Sequence, residues 1–312
     1  MALFATTLRV YAEEDDELWV PAPVHETWRP PGDQGPHPRL VWGELREARV
    51  RWGDDARVAP SERAAVARRV NDRRFAAALA AELGVALPGA RVVSSVDEVA
   101  AHLAAGGASA SPTGAWVAKA AWTAAGRDRV RRIGDTLDDA TRTRLARLLA
   151  AHGALVFEPW MARTLDVGQG GRVDDAGEVT LVPPHRALVD DGGVIRGIVL
   201  DDGAALEPGE RAHLAETARA AGRALASAGY AGPFVVDAFV HEHAGRRALH
   251  PMCELNARLT FGLVARAWAE HRGAPLTLGL GGPLPVGGTP LVLDETGAPA
   301  AWLAEIRGNS PR

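Results

Sequence analysis

The chain contains the stretch HPMCELNARLTFG at positions 250–262. The apolar residues before Glu254 and the alternation that follows predict a strand, on which successive side chains point to opposite faces. Glu254 and Asn256 would then share one face of a sheet, and Cys253 would lie on the other. A helix is predicted next, from Phe261 to about Glu270. The stretch therefore predicts a strand that displays two oxygen ligands and leads into a helix.

A second apolar strand is predicted over 234–241, with Asp237 near its centre. The short connection that joins the two strands is typical of a hairpin. If they pair, Asp237 lies across from Glu254 and Asn256, and three oxygen donors on one face suit Mg²⁺. An acidic residue inside an apolar strand also needs a partner, because an unpaired buried charge is costly. The alternative is that Asp237 and Glu254 pair with arginines on a solvated sheet face, and spacing alone does not choose between the two.

Three further residues of this stretch have both a structural and a functional interpretation. Arg258 could hold a carboxylate or a transferring phosphoryl group through its planar guanidinium, or could form a surface ion pair. His250 could orient a ligand, but we expect a structural histidine whose hydrogen bonds are satisfied. Cys253 is expected to be a small core residue and not a nucleophile.

Composition excludes some classes of protein. The 312 residues carry a formal net charge of −4, and acidic and basic residues are interspersed. A nucleic-acid-binding surface should be visibly basic, so we expect no nucleic acid as a partner. The start of the sequence does not resemble a signal peptide, and no apolar run approaches the ~18 residues of a membrane span. The single cysteine allows no intrachain disulfide. These features predict a cytoplasmic protein with no membrane partner.

The remaining pattern alternates helices and strands, which indicates an α+β fold. Residues 1–60 are Pro-rich and irregular. The basic run at 127–132 resembles a solvated helix face more than a phosphate clamp, except for its first one or two members. The tail after Gly273 is rich in Gly and Pro and is expected to wrap the surface. Strands are predicted at 92–93, 116–119, 155–158, 166–173, 179–189 and 194–200. Helices are predicted to begin at Ser61 and after the Asn71-Asp72 cap, and to span 97–103, 137–151 and 210–228.

The stretch at 250–262 resembles the metal-binding segment of the ATP-grasp superfamily, in which Glu-x-Asn is followed by a helix. The sequence GPFVVD at 232–237 resembles the strand that supplies the other metal carboxylate of that superfamily. The resemblance implies an ATP-grasp fold, with two α+β subdomains that grip ATP. It implies that Asp237 and Glu254 hold one Mg²⁺ ion and that Glu254 and Asn256 hold a second, with Mn²⁺ as an alternative ion.

Further segments upstream resemble the nucleotide site of the same superfamily. Lys119, at the end of a strand, matches the phosphate-binding lysine, and an ammonium before a flexible loop is well placed to meet a polyphosphate. The segment LVFEPWM at 155–161 resembles the hinge that binds adenine. The resemblance assigns the nucleotide contacts to Glu158, the backbone of Trp160 and Met161 (base), Asp166 (ribose) and Arg73 (a second cation on the phosphates).

The resemblance extends over about residues 71–270 and has two departures. The loop after Lys119 is poor in glycine, so Arg127 or Arg129 could supply charge in place of backbone contacts to phosphate. Residues 1–60 are short and Pro-rich for the usual N-terminal domain. We therefore expect a loop-rich region at 1–70, an ATP-grasp core at 71–272 with a lid subdomain at about 106–162, and a C-terminal wrapping segment at 273–312. The lid would include a mobile loop from Ala120 to Arg129.

The function that the resemblance implies is ADP-forming ligation of a small-molecule carboxylate and an amine through an acyl-phosphate. Lys119 and Arg258 would be the catalytic residues. The alternatives are a small-molecule kinase and a nucleotide-binding module without turnover. The latter should have lost its metal or phosphate residues, which are present here. The sequence leaves the substrates and the oligomeric state open, a homodimer included.

Overall fold

The computed structural model describes residues 61–122, 128–190, 193–243, 245–293 and 297–306. The expectations for residues 1–60, for most of the loop after Lys119, including Arg127, and for the last residues of the tail lie outside these ranges. No helix within them is long and apolar enough to cross a membrane.

Three helices of the described residues begin at a cap whose side chain accepts a hydrogen bond from a backbone N–H, namely Asp72, Ser95 and Asp138. The Asp72 carboxylate accepts a hydrogen bond from the backbone N–H of Arg74 at 2.8 Å, so Asp72 caps the second helix as the sequence predicts. The helices are α1 (Ser61–Val70), α2 (Arg73–Glu82), α3 (Val96–Ala104), α4 (Asp139–His152), α5 (Pro208–Ser227) and α6 (Phe261–Arg272).

The smaller of two antiparallel sheets contains β1 (Arg91–Val93), β2 (Ala115–Ala120), β3 (Arg129–Ile133) and β4 (Leu155–Pro159). Its strand order is β1-β4-β2-β3. One face packs on α3 and α4 through an apolar core that includes Trp116, Leu145 and Phe157. Because side chains alternate along a strand, Lys119 lies on the opposite face, directly across from Arg129.

The strands of the larger sheet are β5 (Arg163–Val173), β6 (Val179–Leu181), β7 (His185–Val189), β8 (Ile195–Val199), β9 (Gly232–His243), β10 (Arg246–Asn256), β11 (Leu276–Leu280), β12 (Thr289–Leu293) and β13 (Pro299–Glu305). Their order is β10-β9-β5-β7-β8-β11-β13-β12, with β6 paired to β5. Helix α5 packs on one face, against Val236 and Leu255, and α6 packs over β8 and β11.

Three expectations differ from the observed elements. The described part of the basic run at 127–132 lies in strand β3 and not on a helix. The strand expected at 179–189 is divided into β6 and β7, and Pro183 and Pro184, which interrupt regular pairing, lie between them. The tail after Gly273 does more than wrap the surface, because it contributes three strands to the larger sheet and Leu276 and Leu278 to its core.

Candidate active site

Asp237, Glu254 and Asn256 lie together on paired strands of the larger sheet. Glu254 is directly opposite Asp237 in the β9–β10 register, and Asn256 is opposite Val235. The Asn256 amide donates a hydrogen bond from Nδ2 to Oδ2 of Asp237 at 2.7 Å. The hairpin and the shared face that the sequence predicts are therefore both present.

The oxygen atoms of this triad fit a divalent cation. Oδ1 of Asn256 is buried and has no hydrogen-bond partner among the described residues. A buried acceptor without a partner is costly, and an ion bound beside the two carboxylates would satisfy it. In the described ranges no three His, Cys, Asp or Glu side chains gather as a metal site, so the amide oxygen would complete the set.

The carboxyl of Asp237 is strongly perturbed. Burial, and then the negative charge of Glu254, raise its pKa to about 7. Like charges held in a buried position oppose ionisation unless a cation joins them. The repulsion between the Asp237 and Glu254 carboxylates is a second observation, after the unpartnered oxygen of Asn256, that fits a cation at the triad.

Arg73 connects the two sheets beside this triad. Its Nη2 lies 3.0 Å from Oε1 of Glu254, and its Nη1 donates to the carbonyl of Ala120 at 2.7 Å. The Arg73 side chain is 12% exposed and the Glu254 side chain is 33% exposed, so the pair is only partly shielded from water. The sequence alternative of a carboxylate paired with an arginine therefore holds for Glu254, at a partly buried position.

Lys119 and Glu158 form a second ion pair, on the smaller sheet. Nζ of Lys119 lies 2.5 Å from Oε2 of Glu158, and the two side chains are 14% and 17% exposed. Burial opposes ionisation of Glu158, but the adjacent ammonium outweighs it and lowers the pKa of the carboxyl below its usual value. Glu158 is therefore an ionised hydrogen-bond acceptor at neutral pH.

Arginines surround the indole of Trp160. The guanidinium carbons of Arg131, Arg163 and Arg129 lie 4.7, 5.2 and 5.8 Å from the ring centre, within the range of cation–π attraction. Burial and then the charge of Arg131 lower the pKa of Arg129. Arg129 lies directly across from Lys119, and its role as a source of charge for phosphate stays a prediction.

Asp166 is held by an arginine that the sequence analysis did not identify. Nη1 of Arg163 donates to Oδ1 of Asp166 at 2.9 Å, and the guanidinium also lies 4.2 Å from the ring centre of Phe239. The sequence gives little indication of this ion pair, because residues spaced i,i+3 are also common on exposed surfaces.

The backbone of the hinge segment is partly occupied. The N–H of Trp160 donates to the carbonyl of Ala115 at 2.8 Å, and its carbonyl accepts from the Ser111 hydroxyl at 2.8 Å. The N–H of Trp160 is therefore already used, whereas its carbonyl oxygen keeps a second lone pair, and a contact of this backbone with a base stays a prediction. Met161 is buried in a small apolar cluster with Leu87 and Phe239.

Asn71 ties the start of α2 to the end of β10. Its side-chain amide donates to the carbonyl of Ala257 at 3.0 Å and accepts from the N–H of Ala257 at 3.0 Å. The same oxygen accepts a bond from Nη1 of the exposed Arg258 at 3.1 Å. Arg258 is thus held by an amide and not by a surface ion pair.

A cavity of about 280 Å³ lies between α2 and the strands β1, β4 and β10. Arg73, Lys119, Glu158 and Glu254 all contribute to its lining, so it adjoins the ion pairs described above. The alanines of α2, together with Val156 and Met252, form its apolar walls.

Cys253 packs against Phe239, which lies on the same face of β9 as Asp237, so the Cys253 and Glu254 side chains do not lie on opposite faces as expected. The cause is a bulge in β10. From His250 to Glu254 the strand advances four residues while its partner advances only from Phe239 to Asp237. Extra residues of this kind re-aim side chains and break the alternation. Burial raises the pKa of the Cys253 thiol to about 12, which agrees with the expectation that it is not a nucleophile.

No family model matches the chain, and no curated protein is significantly similar to it. Its structure is similar to biotin carboxylase from Campylobacter jejuni, with a TM-score of 0.52 and 14% identity over 69% of this chain and 51% of that one. It is similar to N5-carboxyaminoimidazole ribonucleotide synthetase from Thermus thermophilus, with a TM-score of 0.53 and 14% identity over 84% and 73%. It is also similar to the carboxyaminoimidazole ribonucleotide synthase from Aspergillus clavatus complexed with ATP, with a TM-score of 0.52 and 16% identity over 82% and 73%.

These similarities identify the architecture. The chain has the ATP-grasp fold, which the stretch at 250–262 predicts. It spans about half the length of the biotin carboxylase that it resembles.

Proposed function

We propose that this protein is an ATP-dependent ligase that joins a small-molecule carboxylate to an amine or similar nucleophile. The observation that carries the proposal is the pairing of Asp237 with Glu254, beside an unpartnered oxygen of Asn256, in an ATP-grasp fold. One structurally similar synthase was solved with ATP, which supports the choice of nucleotide.

The triad would hold Mg²⁺, as two ions, with Mn²⁺ as the alternative, because carboxylate and amide oxygens are the ligands that these ions prefer. The bound ions would neutralise charge on the phosphate oxygens during phosphoryl transfer. Asp237 and Glu254 would be the anionic ligands, and Asn256 would use the oxygen that its hydrogen bond to Asp237 leaves available.

The cations around the cleft would bind the rest of the nucleotide. Lys119 and Arg129 face the same side of the smaller sheet, where they can contact phosphates, and Arg73 can reach them from α2. In the free protein Lys119 and Arg73 pair with acidic residues, so their charges are already compensated and held in place. Glu158 and Met161 would contact the base, and Asp166 the ribose.

The chemistry would run in two displacement steps. An oxygen of the substrate carboxylate attacks the γ-phosphorus, the bond to the β-phosphate oxygen breaks, and ADP leaves. The amine then attacks the acyl carbon, phosphate leaves and the amine loses a proton. Arg258, exposed and held by Asn71, would bind the acyl-phosphate through its guanidinium. The protein contributes mainly position and charge.

The first test is the substitution Glu254→Ala, with folding checked by circular dichroism. We expect it to weaken Mg–ATP binding at least tenfold in calorimetric titrations, because it removes a ligand shared by both proposed ions. Glu242→Ala is the matched control, since Glu242 is exposed on the same hairpin. Equal binding of Mg–ATP by the wild type and Glu254→Ala would show that the site is wrongly assigned.

Ligation is tested by offering carboxylates and amines singly and in pairs while ADP and free phosphate are measured. A ligase releases both only when two co-substrates are present. A kinase would release ADP with a single acceptor and no free phosphate. The homodimer stays a prediction, which sedimentation of the purified chain checks.

A further inference from the structure

His250 is a buried histidine of strand β10. It is 5% exposed and contacts the ring of Phe239 at a centroid distance of 4.9 Å. No hydrogen bond to its ring is present among the described residues, and its nitrogens are not among their buried polar atoms without a partner, so they are open to the adjoining cavity. The expectation of a structural histidine with satisfied hydrogen bonds stays a prediction.

The imidazole of His250 lines the cavity of about 280 Å³ between α2 and β10. That volume is near the lower end of the range of roughly 300–1,000 Å³ for small-molecule sites. It suits one part of a nucleotide and not the whole. The alanine side chains of α2 leave a smooth apolar wall, with Val156 and Met252 also in the lining, which suits the faces of a planar ring.

The polar groups of the lining differ in what they can offer. Glu158 is ionised, so it only accepts hydrogen bonds. Burial lowers the pKa of His250 to about 4, so its ring is neutral at physiological pH and offers one donor and one acceptor. A ligand edge that matches both carries an N–H donor next to a ring nitrogen.

We propose that His250 is a specificity-determining residue that hydrogen-bonds the edge of a nucleobase placed in this cavity. The inference rests on the proposed function, because the base belongs to the same nucleotide. Adenine offers the required amino group and ring nitrogens, whereas guanine would turn its carbonyl oxygen toward the carboxylate of Glu158. His250 and Glu158 together would therefore favour ATP over GTP.

The experiment measures dissociation constants, with Mg²⁺ present, for ATP, GTP and the 1-deaza, 3-deaza and 7-deaza analogues of ATP. Each analogue replaces one ring nitrogen by carbon. The proteins are the wild type, His250→Phe, which keeps the ring packing on Phe239, and His250→Gln, which keeps a donor and an acceptor. His185→Phe is the matched control, because His185 is also 5% exposed but packs between Gly168 and Gly262, outside the cavity lining.

One hydrogen bond corresponds to about a threefold to tenfold change in affinity. We expect the wild type to bind one analogue weaker than ATP by this factor. His250→Phe should bind ATP and that analogue equally and should discriminate less against GTP. His250→Gln should keep part of the discrimination, and His185→Phe all of it.

The inference is overturned if His250→Phe keeps the wild-type ratios among the nucleotides, if no analogue binds more weakly than ATP, or if His185→Phe changes the ratios equally. In each of these cases the proposed function stands, provided that the wild type binds Mg–ATP and Glu254→Ala does not. If the wild type binds no nucleotide, both proposals fail together.

Discussion

Asp237 is the residue of the proposed site whose ionisation destabilises the folded protein. Its pKa of about 7 in the folded chain lies above the ordinary value of 3.8, because burial and Glu254 disfavour the charge. A group whose pKa is raised on folding stabilises the protein fully only below its unfolded pKa. The ligand-free protein should therefore lose this contribution as the pH rises from about 4 through about 7.

The substitution Asp237→Asn tests this conflict, because an amide imitates the protonated carboxyl and can still accept the bond from Asn256. At pH 8 we expect the variant to be more stable than the wild type by roughly 1–3 kcal/mol in metal-free buffer, a figure reduced because the site is partly open to solvent. At pH 5 the difference in stability between the variant and the wild type should shrink. The variant should also lose Mg–ATP binding. Melting curves at both pH values check the prediction, and a variant less stable than the wild type at pH 8 would contradict it.

At the scale of elements, Asn71 is the connection that sets where α2 begins relative to β10. Its side chain satisfies both the N–H and the carbonyl of Ala257, which is 2% exposed. The substitution Asn71→Ala would leave these buried groups unpaired, at about 1–3 kcal/mol each. We expect the free energy of unfolding to fall by roughly 2–4 kcal/mol. We also expect weaker Mg–ATP binding, because Arg73 is the first residue of α2, the helix that Asn71 positions.

Ser94→Ala is the control for that substitution. Ser94 makes exposed hydrogen bonds to Glu98 within its own segment, so its loss should change stability by less than about 0.5 kcal/mol. Chemical denaturation gives the stabilities, and calorimetry the affinities. A loss for Asn71→Ala no larger than that for Ser94→Ala would show that the connection is not structural.

The same elements show what the sequence could predict. The hairpin that joins Asp237 to Glu254 was predictable, because alternation and a short connection are local properties of the chain. The orientation of Cys253 was not, because the bulge before Glu254 depends on pairing with β9. The partners Arg163 and Asn71 also escaped prediction, the latter because its contacts lie 186 residues away along the chain.

At the scale of the whole molecule, long-range pairing decided what the sequence could not. The tail after Gly273 has the composition of a surface segment, yet β11 is an interior strand between β8 and β13. The sequence of strand β3 resembles a helix face because its arginines give no alternation of polar and apolar residues. The ATP-grasp fold was predictable nonetheless, because the stretch at 250–262, which resembles the metal-binding segment of that superfamily, is short and contiguous.

Arg73 links the two sheets, since one guanidinium contacts Ala120 of the smaller sheet and Glu254 of the larger. In the proposed complex, a nucleotide held between Lys119 and the triad would therefore order both sheets at once. A ligand at 100 times its dissociation constant adds about 2.7 kcal/mol to the free energy of each opening that releases it, so the effect should appear in segments whose opening disrupts the binding site. Amide hydrogen exchange resolves it by segment.

We expect Mg–ATP to slow amide exchange in β2 and β4 as well as in β9 and β10. Exchange in β12, at the far edge of the larger sheet, should not change, and it serves as the internal control. At the same nucleotide concentration, Glu254→Ala should lose the protection in both sheets together. The reason is that the substitution lowers the affinity for the whole nucleotide and does not merely remove one local contact. Protection confined to one sheet would mean that the nucleotide binds a single subdomain, and the cleft between the sheets would then not be the active site.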